Sequence, residues 1–278
     1  MGTAIEAYKA KMAAAADKYA SEESTSSSFI TTRGGILKFG EEELPGNEML
    51  VVILDAIHEN TYYPDRFDSD VMSPPKCFAM AREEKDMQPH ENIPVAGSPE
   101  AEKSYFEEQA EFCDECPLAE WGSADTGRGK ACSNRRRLAL IPAGQFIHKG
   151  EGRKKEVEME VFEDPSHYRD ADISFLKLPV TSGKAWSKYV HQIAKEHQRP
   201  PFGVLTHVYI EADEKTQFKI KFDLVEVIES EAVLEVVIAR NAEAMDMIIQ
   251  PYSEPSDDQK DERAPAQSGL RGLNKGKR

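Results

Sequence analysis

The chain carries 278 residues, with 50 Asp or Glu against 35 Lys or Arg and a formal net charge of −15. A chain of this length can bury one large hydrophobic core or two smaller ones. Evenly spread, this charge would argue against binding to nucleic acid. The longest apolar run, at 49–57, has the length of a strand and is too short to span a membrane. Since no secretory signal is visible at the N-terminus, we expect a cytoplasmic protein without membrane contacts.

The first third of the chain predicts one helix followed by β-structure. Residues 4–20 favour a helix because they are rich in Ala. The larger side chains in this helix are Ile5, Tyr8, Met12 and Tyr19. After a polar, Ser-rich linker, Gly34 and Gly35 supply the positive φ of a tight turn, so residues 29–39 predict a β-hairpin or a bent strand. Residues 47–63 then predict a long strand.

The middle third predicts further strands around a long insertion. Residues 81–111 are polar and contain three prolines, which indicates an insertion with a short helix near 99–111. Residues 135–141 predict a strand that Pro142 ends. Residues 156–162 alternate between Glu and apolar side chains, which is the pattern of a half-buried strand.

The last third predicts three strands and two helices. The strands lie at 173–178, 204–210 and 217–227. An amphipathic helix from residue 183 to about His197 has one apolar side, formed by Trp186, Tyr189, Val190, Ile193 and Ala194. A final helix covers about 230–249. Residues 250–278 are polar, Pro-bearing and mixed in charge, which predicts a disordered tail.

The four cysteines have the spacing of a metal site. Cys113 and Cys116 form a C-x2-C knuckle, Cys132 follows after fifteen residues, and Cys77 precedes the knuckle by thirty-five. A two-residue gap lets two thiolates point at one centre, because the chain turns back within it, and four thiolates close a tetrahedral zinc site. The spacing therefore predicts a structural zinc ion with these four ligands.

Other interpretations of the cysteines remain open. His90 lies in the same segment as Cys77 and could replace it as a ligand. Two disulfides would require an oxidising compartment, a redox C-x-x-C would leave two cysteines unexplained, and the thiols could be unrelated buried side chains. A catalytic zinc would keep an open position, usually with His or Glu ligands and a general base nearby. No H-E-x-x-H motif is present.

The predicted elements indicate a mainly β protein with appended helices, of the α+β class. About seven short strands fit a small Greek-key barrel, and the OB-fold is the barrel of this kind best known for gripping oligonucleotides. We expect an N-terminal helix and linker at 1–28, an OB-like domain at 29–249, and a disordered tail at 250–278. The zinc-bearing insertion would lie at about 77–132.

The charge is segregated along the chain. Residues 81–120 hold twelve acidic and three basic side chains, whereas residues 121–155 hold nine basic and two acidic ones. A local basic patch decides whether phosphate is attracted, and a single-strand binder also needs aromatic faces on which bases stack. The candidate DNA-binding residues are Arg33, Lys38, Tyr62, Tyr63, Trp121, Arg128, Lys130, Arg135 and Arg137.

The basic strand at 135–137 gives a sharper expectation. Because neighbours in a strand alternate, Arg135 and Arg137 should face the DNA while Arg136 points away, toward the acidic insertion. Leu138 and Leu140 should share the face of Arg136 and be buried. The alternatives are that the arginines only line a solvated strand, and that Trp121 and Phe78 pack over the thiolates instead of stacking on bases.

The stretch from Cys113 to Pro142 contains Cys-Asp-Glu-Cys, Trp121-Gly-Ser and the Arg135-Arg-Arg run. It resembles a segment of single-stranded-DNA-binding proteins of tailed bacteriophages, in which an element similar to Pro75-Lys-Cys-Phe supplies a first cysteine. The likeness covers residues 74–142. It implies a zinc-bearing, OB-like protein of phage DNA replication or recombination, with proteins of those processes as partners and the host cytoplasm as its location. It also implies the four cysteines as ligands and the strand at 135–137 as the DNA side.

The chain ends differently from many single-strand binders, which carry an acidic tail that competes with DNA. Here the last six residues include three basic and no acidic side chains, and the acids lie further in, between Glu254 and Glu262. No G-x-S-x-G elbow occurs and the seven histidines are scattered, so we expect no catalysis.

Two competing hypotheses remain for the function. The first is a zinc-stabilised interaction module that binds a host or phage replication or transcription protein through its acidic surface. The second is a nucleic-acid enzyme.

Overall fold

The fold is described from a computed structural model, for residues 29–40, 42–64, 73–125, 128–149 and 156–255. The strands are β1 (Phe29–Thr31), β2 (Lys38–Phe39), β3 (Glu42–Glu43), β4 (Glu48–Tyr62), β5 (Cys77–Ala81), β6 (Cys132–Pro142), β7 (Gly144–Lys149), β8 (Glu156–Val161), β9 (Ser174–Leu178), β10 (Val204–Asp213) and β11 (Gln217–Val227). The α-helices are α1 (Pro165–Asp170), α2 (Gly183–His197) and α3 (Glu231–Met247).

Nine of these strands form one curled, mixed sheet that makes a half-barrel. Its order is β11-β10-β4-β6-β9-β1-β2-β3, with β5 also paired to β4, while β7 and β8 form a separate two-stranded sheet. The mainly β class with a few helices is therefore confirmed. None of the helices in the described ranges has the length and apolar character needed to cross a membrane.

Strand β4 organises the sheet because it is fifteen residues long and mostly aliphatic. One edge of β4 pairs with β6 over residues 51–62. The other edge pairs with β10 at residues 48–51 and with β5 at residues 58–62. A register shift between Ile53 and Asp55 marks a bulge that inserts Leu54. The result is that the far end of β4, at Tyr62, lies between the first residues of β5 and β6.

Alternation along β4 and β6 divides the core between two faces. The face covered by α3, here the α3 face, buries Leu50, Val52, Ile57, Ala139 and Ile141 together with Val233, Val237 and Ile248 of the helix region. The opposite face, here the α2 face, buries Val51, Ile53, Leu138 and Leu140 with Trp186, Tyr189 and Ile193 of α2. Each fully buried aliphatic side chain stabilises the fold by about 1.5–3 kcal/mol. The sheet is thus covered by one long helix on each face.

Several predicted elements are confirmed. The hairpin at 29–39 forms β1 and β2, and Gly34 and Gly35 take φ values of 63° and 77°. Helix α2 spans 183–197 and ends at Gln198, which adopts a left-handed conformation ahead of two prolines. Leu138 and Leu140 are buried on the face of Arg136, as the alternation predicts.

The short helix expected near 99–111 is wrong. Long-range contacts fix this segment as turns and extended chain instead: Glu107 N donates to Lys76 O at 2.8 Å, and the ring of Phe106 packs on Phe78 at 5.2 Å. Backbone groups that bond to distant segments cannot also form a helical ladder. The segment therefore follows its tertiary partners rather than its composition.

Two other expectations are corrected. Strand β8 forms at 156–161, but Val157 and Met159 are 53% and 44% exposed. Within the described residues β8 pairs only with β7, and it is Val161, at the end of β8, that packs against the core of the α3 face. Residues 250–255, expected to begin a disordered tail, lie against the α3 face, where the Tyr252 hydroxyl donates to Glu59 at 2.9 Å. The rest of that tail, 256–278, and the predicted helix and linker, 1–28, lie outside the described residues.

Candidate nucleic-acid interface

The four cysteines gather at the Tyr62 end of the sheet. Cys77 opens β5 and Cys132 opens β6, and both pair in register with Tyr62, one on each side of it. Cross-strand partners point to the same face, so these two thiols leave the same side of the sheet. Cys113 and Cys116 approach from the insertion, and all four line one cavity of about 20 Å³. That volume holds about one water-sized sphere.

The cavity suppresses thiolate formation. Burial raises the pKa of the Cys77 thiol to about 11 and that of Cys132 to about 12, and the neighbouring thiols add to both shifts. Burial also raises the pKa of Cys113. Buried thiolates need a compensating positive charge, which a coordinated divalent cation supplies.

The donor set fits zinc, and no disulfide joins any of the four cysteines. As they stand, no group of three His, Cys, Asp or Glu side chains in the described ranges is arranged to hold a metal ion. Coordination would therefore draw the four sulfur atoms inward around the cavity, to Zn–S distances of about 2.3 Å.

His90 does not line the cysteine cavity. Its ring stacks on Phe78 with the centroids 5.1 Å apart, and its Nδ1 accepts a hydrogen bond from Asn92 N at 3.1 Å. Of the two candidates for the remaining position, only Cys77 faces the other three thiols. Phe78 itself is 1% exposed and belongs to a small cluster with Ile93 and Phe106, so it is unavailable for stacking on a base.

The chain between Cys116 and Cys132 presents Trp121 to solvent. We call residues 121–125 and 128–131 the Trp loop. Gly122 N donates to Gly129 O at 2.7 Å, and Ala131 N donates to the Ser123 hydroxyl at 2.9 Å. Gly122 and Gly129 have φ values of 98° and 94°, which favour glycine at both positions.

The Gly122–Gly129 bond closes the Trp loop. It brings the backbone next to Trp121 close to Gly129, which stands between Arg128 and Lys130 in the sequence. Both cations are exposed, and Trp121 is 81% exposed. The interpretation of Trp121 as packing over the thiolates is therefore wrong. The loop combines an open aromatic face with two cations, which are the two kinds of contact that a nucleic-acid strand uses.

The basic strand does not lie as expected. Arg137 is 3% exposed and pairs with Glu59, which is 0% exposed. Its Nη1 also donates to the backbone oxygens of Ile248 and Gln250, each at 3.0 Å. Arg135 and Arg137 do share one face of β6, as the alternation of side chains predicts, but the chain at 248–252 covers this face at Arg137. The prediction that Arg137 faces DNA is wrong.

Arg135 and Arg136 are both half-buried and lie on opposite faces. Burial lowers the pKa of the Arg136 guanidinium, and the carboxylate of Glu84 in the insertion opposes that shift. Arg136 therefore lies near the acidic insertion, as the alternation predicted. Arg135 remains as the member of the run that lies near Tyr63: burial raises the pKa of Tyr63 and the charge of Arg135 opposes the rise.

The pair of Arg137 and Glu59 belongs to a larger buried cluster. Lys177 Nζ donates to the Tyr252 hydroxyl at 2.7 Å, and that hydroxyl donates to Glu59 at 2.9 Å. Burial alone would raise the pKa of Glu59, but Arg137, Lys177 and the Tyr252 hydrogen bond hold it below its usual value. Burial lowers the pKa of Lys177 to about 8, against the attraction of Glu59. No local sequence signal marks this cluster, because its members come from four separate segments.

The other predicted site residues are dispersed. Lys38 pairs with Glu43 at 2.9 Å near the far edge of the sheet, and the side chain of Arg33 lies outside the described part of the chain. Tyr62 lines the cysteine cavity, whereas Tyr63 is 39% exposed. Of the predicted set, the structure places Tyr63, Arg135 and the Trp loop at one end of the sheet.

Comparison with known proteins adds no further constraint. No family model matches the chain, and no curated protein and no solved structure matches it either.

Proposed function

We propose that this chain binds single-stranded DNA without strong sequence preference, through the Trp loop together with Tyr63 and Arg135. The observation that carries the proposal is Trp121, which is 81% exposed in the same loop as the exposed side chains of Arg128 and Lys130. An indole left in water gains free energy when a base stacks on it, and every base has such a face. Backbone phosphates beside the stacked base would meet Arg128 and Lys130.

We also propose that Cys77, Cys113, Cys116 and Cys132 hold a structural zinc ion and that the half-barrel is OB-like. When bound, the ion supplies a closed four-thiolate link with no position left for catalysis. The chain's own contribution is the placement of the ligands, because Cys116 and Cys132 stand at the two ends of the segment that carries the Trp loop. Fixing both ends holds Trp121 and its cations in place.

This activity needs no catalytic group, since stacking and charge suffice. The likeness of residues 74–142 to phage single-strand binders supports a role in phage DNA replication or recombination in the host cytoplasm. Proteins of those processes would be its partners.

Replacing Trp121 by Ala should weaken binding to a labelled oligo(dT) by about 5- to 150-fold, the equivalent of about 1–3 kcal/mol for one stacked base. Fluorescence anisotropy at fixed salt measures the change. Trp121→Phe should retain most of the affinity, and Val180→Ala, at another solvent-exposed apolar site that is 59% exposed, should retain all of it. Unchanged affinity in Trp121→Ala would show that the loop is not the binding surface.

Salt titrations should show which basic residues contact the phosphates. Replacing Arg128, Lys130 or Arg135 by Gln should reduce the slope of log affinity against log salt by about 0.7 each, the value for one phosphate contact of a single strand. Arg136→Gln is the matched control and should leave the slope unchanged, because Arg136 is half-buried near the carboxylate of Glu84. A slope that depends on Arg136 alone would move the DNA to the α2 face. No binding of any oligonucleotide at low salt would favour the interaction module instead.

A further inference from the structure

Helix α2 carries a line of basic side chains on its solvent side. We call it the basic line, and its four exposed members are Lys184, Lys188, His191 and Lys195. Their spacings of four, three and four residues place them one above the other along the helix. Within the part of the chain that the structure describes, none of the three lysines has an ion-pair partner. These charges are therefore available to an acidic partner.

Helix α3 carries a different line on its solvent side, which we call the outer line. Two exposed acids are followed, at spacings of three and four residues, by three exposed apolar residues: Glu231, Glu235, Ile238, Ala242 and Met245. Ile238 and Met245 are 57% and 40% exposed, and among the described residues neither acid has an ion-pair partner. The inner side of α3 is also apolar and packs on the sheet. A helix that is apolar on two sides is normally covered on both.

We propose that the basic line of one copy of this chain packs against the outer line of a second copy. The two lines are opposite in charge and have the same spacing, so the helices can interdigitate when nearly parallel in axis. In either direction of the partner helix, two basic side chains come opposite Glu231 and Glu235. The aliphatic stems of the lysines then cover Ile238 and Met245, because long basic side chains bury their stems and keep their charge at the rim.

Other partners match these surfaces less well. Two outer lines would set Glu231 and Glu235 against each other when parallel, and against Met245 and Ala242 when antiparallel, so their charges would be repelled or buried without a partner. A nucleic-acid strand could contact the basic line through its phosphates, but it would leave the outer line uncovered. A second copy in the proposed orientation satisfies both lines with one contact.

The position of the two helices decides how such an assembly grows. They cover opposite faces of one sheet, so each contact uses one line from each copy and leaves the other two lines free. A contact of this heterologous kind extends into a ring or an open chain of copies. The net charge of −15 opposes association, but at about 0.15 M salt charges more than about 8 Å apart are largely screened. The inference is independent of nucleic-acid binding.

Sedimentation velocity of the full-length protein, without DNA, tests this contact. We expect the average mass to rise with concentration above the mass of one chain. Lys184→Glu/Lys188→Glu, the basic-line variant, replaces two attractions by two repulsions and should weaken association at least about tenfold. Ile238→Glu/Met245→Glu, the outer-line variant, should do the same. An equimolar mixture of the two variants should form a dimer and nothing larger, because each variant keeps one intact line.

Lys103→Glu/Lys215→Glu is the matched control. Both lysines are exposed and lie outside the two helices, and the double substitution changes the net charge by the same amount as the basic-line variant. This control should associate as the unmodified protein does. Circular dichroism should show the same fold in all variants, since every substituted position is exposed.

Three results would overturn the proposal. The first is an unmodified protein that stays monomeric up to about 1 mM, the weak end of specific association. The second is a basic-line variant that associates normally while the outer-line variant does not, which would show that α3 packs on α3 of the other copy. The third is a basic-line variant that associates normally but binds oligo(dT) with a lower salt slope, which would make the basic line a phosphate-binding surface.

Discussion

Replacing Arg137 by Ala should lower the free energy of unfolding by about 3–5 kcal/mol, the usual cost of removing one partner from a buried ion pair. Glu59, at 0% exposure, would lose its closest cation, and the backbone oxygens of Ile248 and Gln250 would lose their donor. Urea denaturation followed by circular dichroism measures the loss. Arg136→Ala is the matched control, one residue away on the opposite face, and should cost less than about 1 kcal/mol.

A double variant distinguishes two contributions to stability: the penalty for leaving Glu59 buried without a partner, and the net stabilisation by the Arg137–Glu59 ion pair. Arg137→Met combined with Glu59→Leu should recover most of the lost stability, because an apolar replacement leaves no carboxylate stranded. The pKa of Glu59 is held below its usual value, so its contribution should be present above the ordinary carboxylate range and be lost as the pH falls through the lowered value. If Arg137→Ala costs no more than Arg136→Ala, the pair is not structurally important.

Purified protein should contain about one zinc ion per chain, and Cys132→Ser should release it. Elemental analysis gives the content, and hydrogen exchange gives the structural effect. Exchange should accelerate in β5 and at the start of β6, while the two cores under α2 and α3 stay protected, because neither core includes a cysteine. The affinity for oligo(dT) should fall as well, since the Trp loop would lose its fixed ends.

His90→Ala provides the control for the zinc prediction. His90 stacks on Phe78 outside the cavity, so its removal should leave the zinc content at about one per chain. A protein that keeps its zinc in Cys77→Ser but loses it in His90→Ala would show that the ligand set is wrong. A metal-free protein of full stability would exclude a structural zinc altogether.

Local patterns account for the part of the fold that the sequence predicts. The spacing of Trp186, Tyr189 and Ile193 is sufficient to define α2, and period-two alternation is sufficient to bury Leu138 and Leu140. Both depend only on neighbours along one element. The clustering of the cysteines in one cavity was also predictable, because a C-x2-C spacing with outlying cysteines constrains which segments can meet.

Long-range contacts decide the rest. Alternation places Arg135 and Arg137 on one face, but it does not reveal that residues 248–252, more than a hundred positions later, cover only Arg137. The Trp loop likewise is closed by a hydrogen bond between Gly122 and Gly129, seven residues apart, which no local pattern predicts. Residues 99–111 follow Lys76 and Phe78 rather than their own helical propensity. In each case the deciding partner is distant in sequence.

The position of Tyr62 between Cys77 and Cys132 would give the proposed zinc ion a second role. Side chains in a strand alternate between faces, so a slip of one residue in β5 or β6 would turn its cysteine to the wrong side of the sheet. An ion bound by all four thiolates would therefore be compatible with only one alignment of the three strands. The zinc would act as a check on strand register during folding, and mispaired chains would be recognisable by their failure to retain the metal.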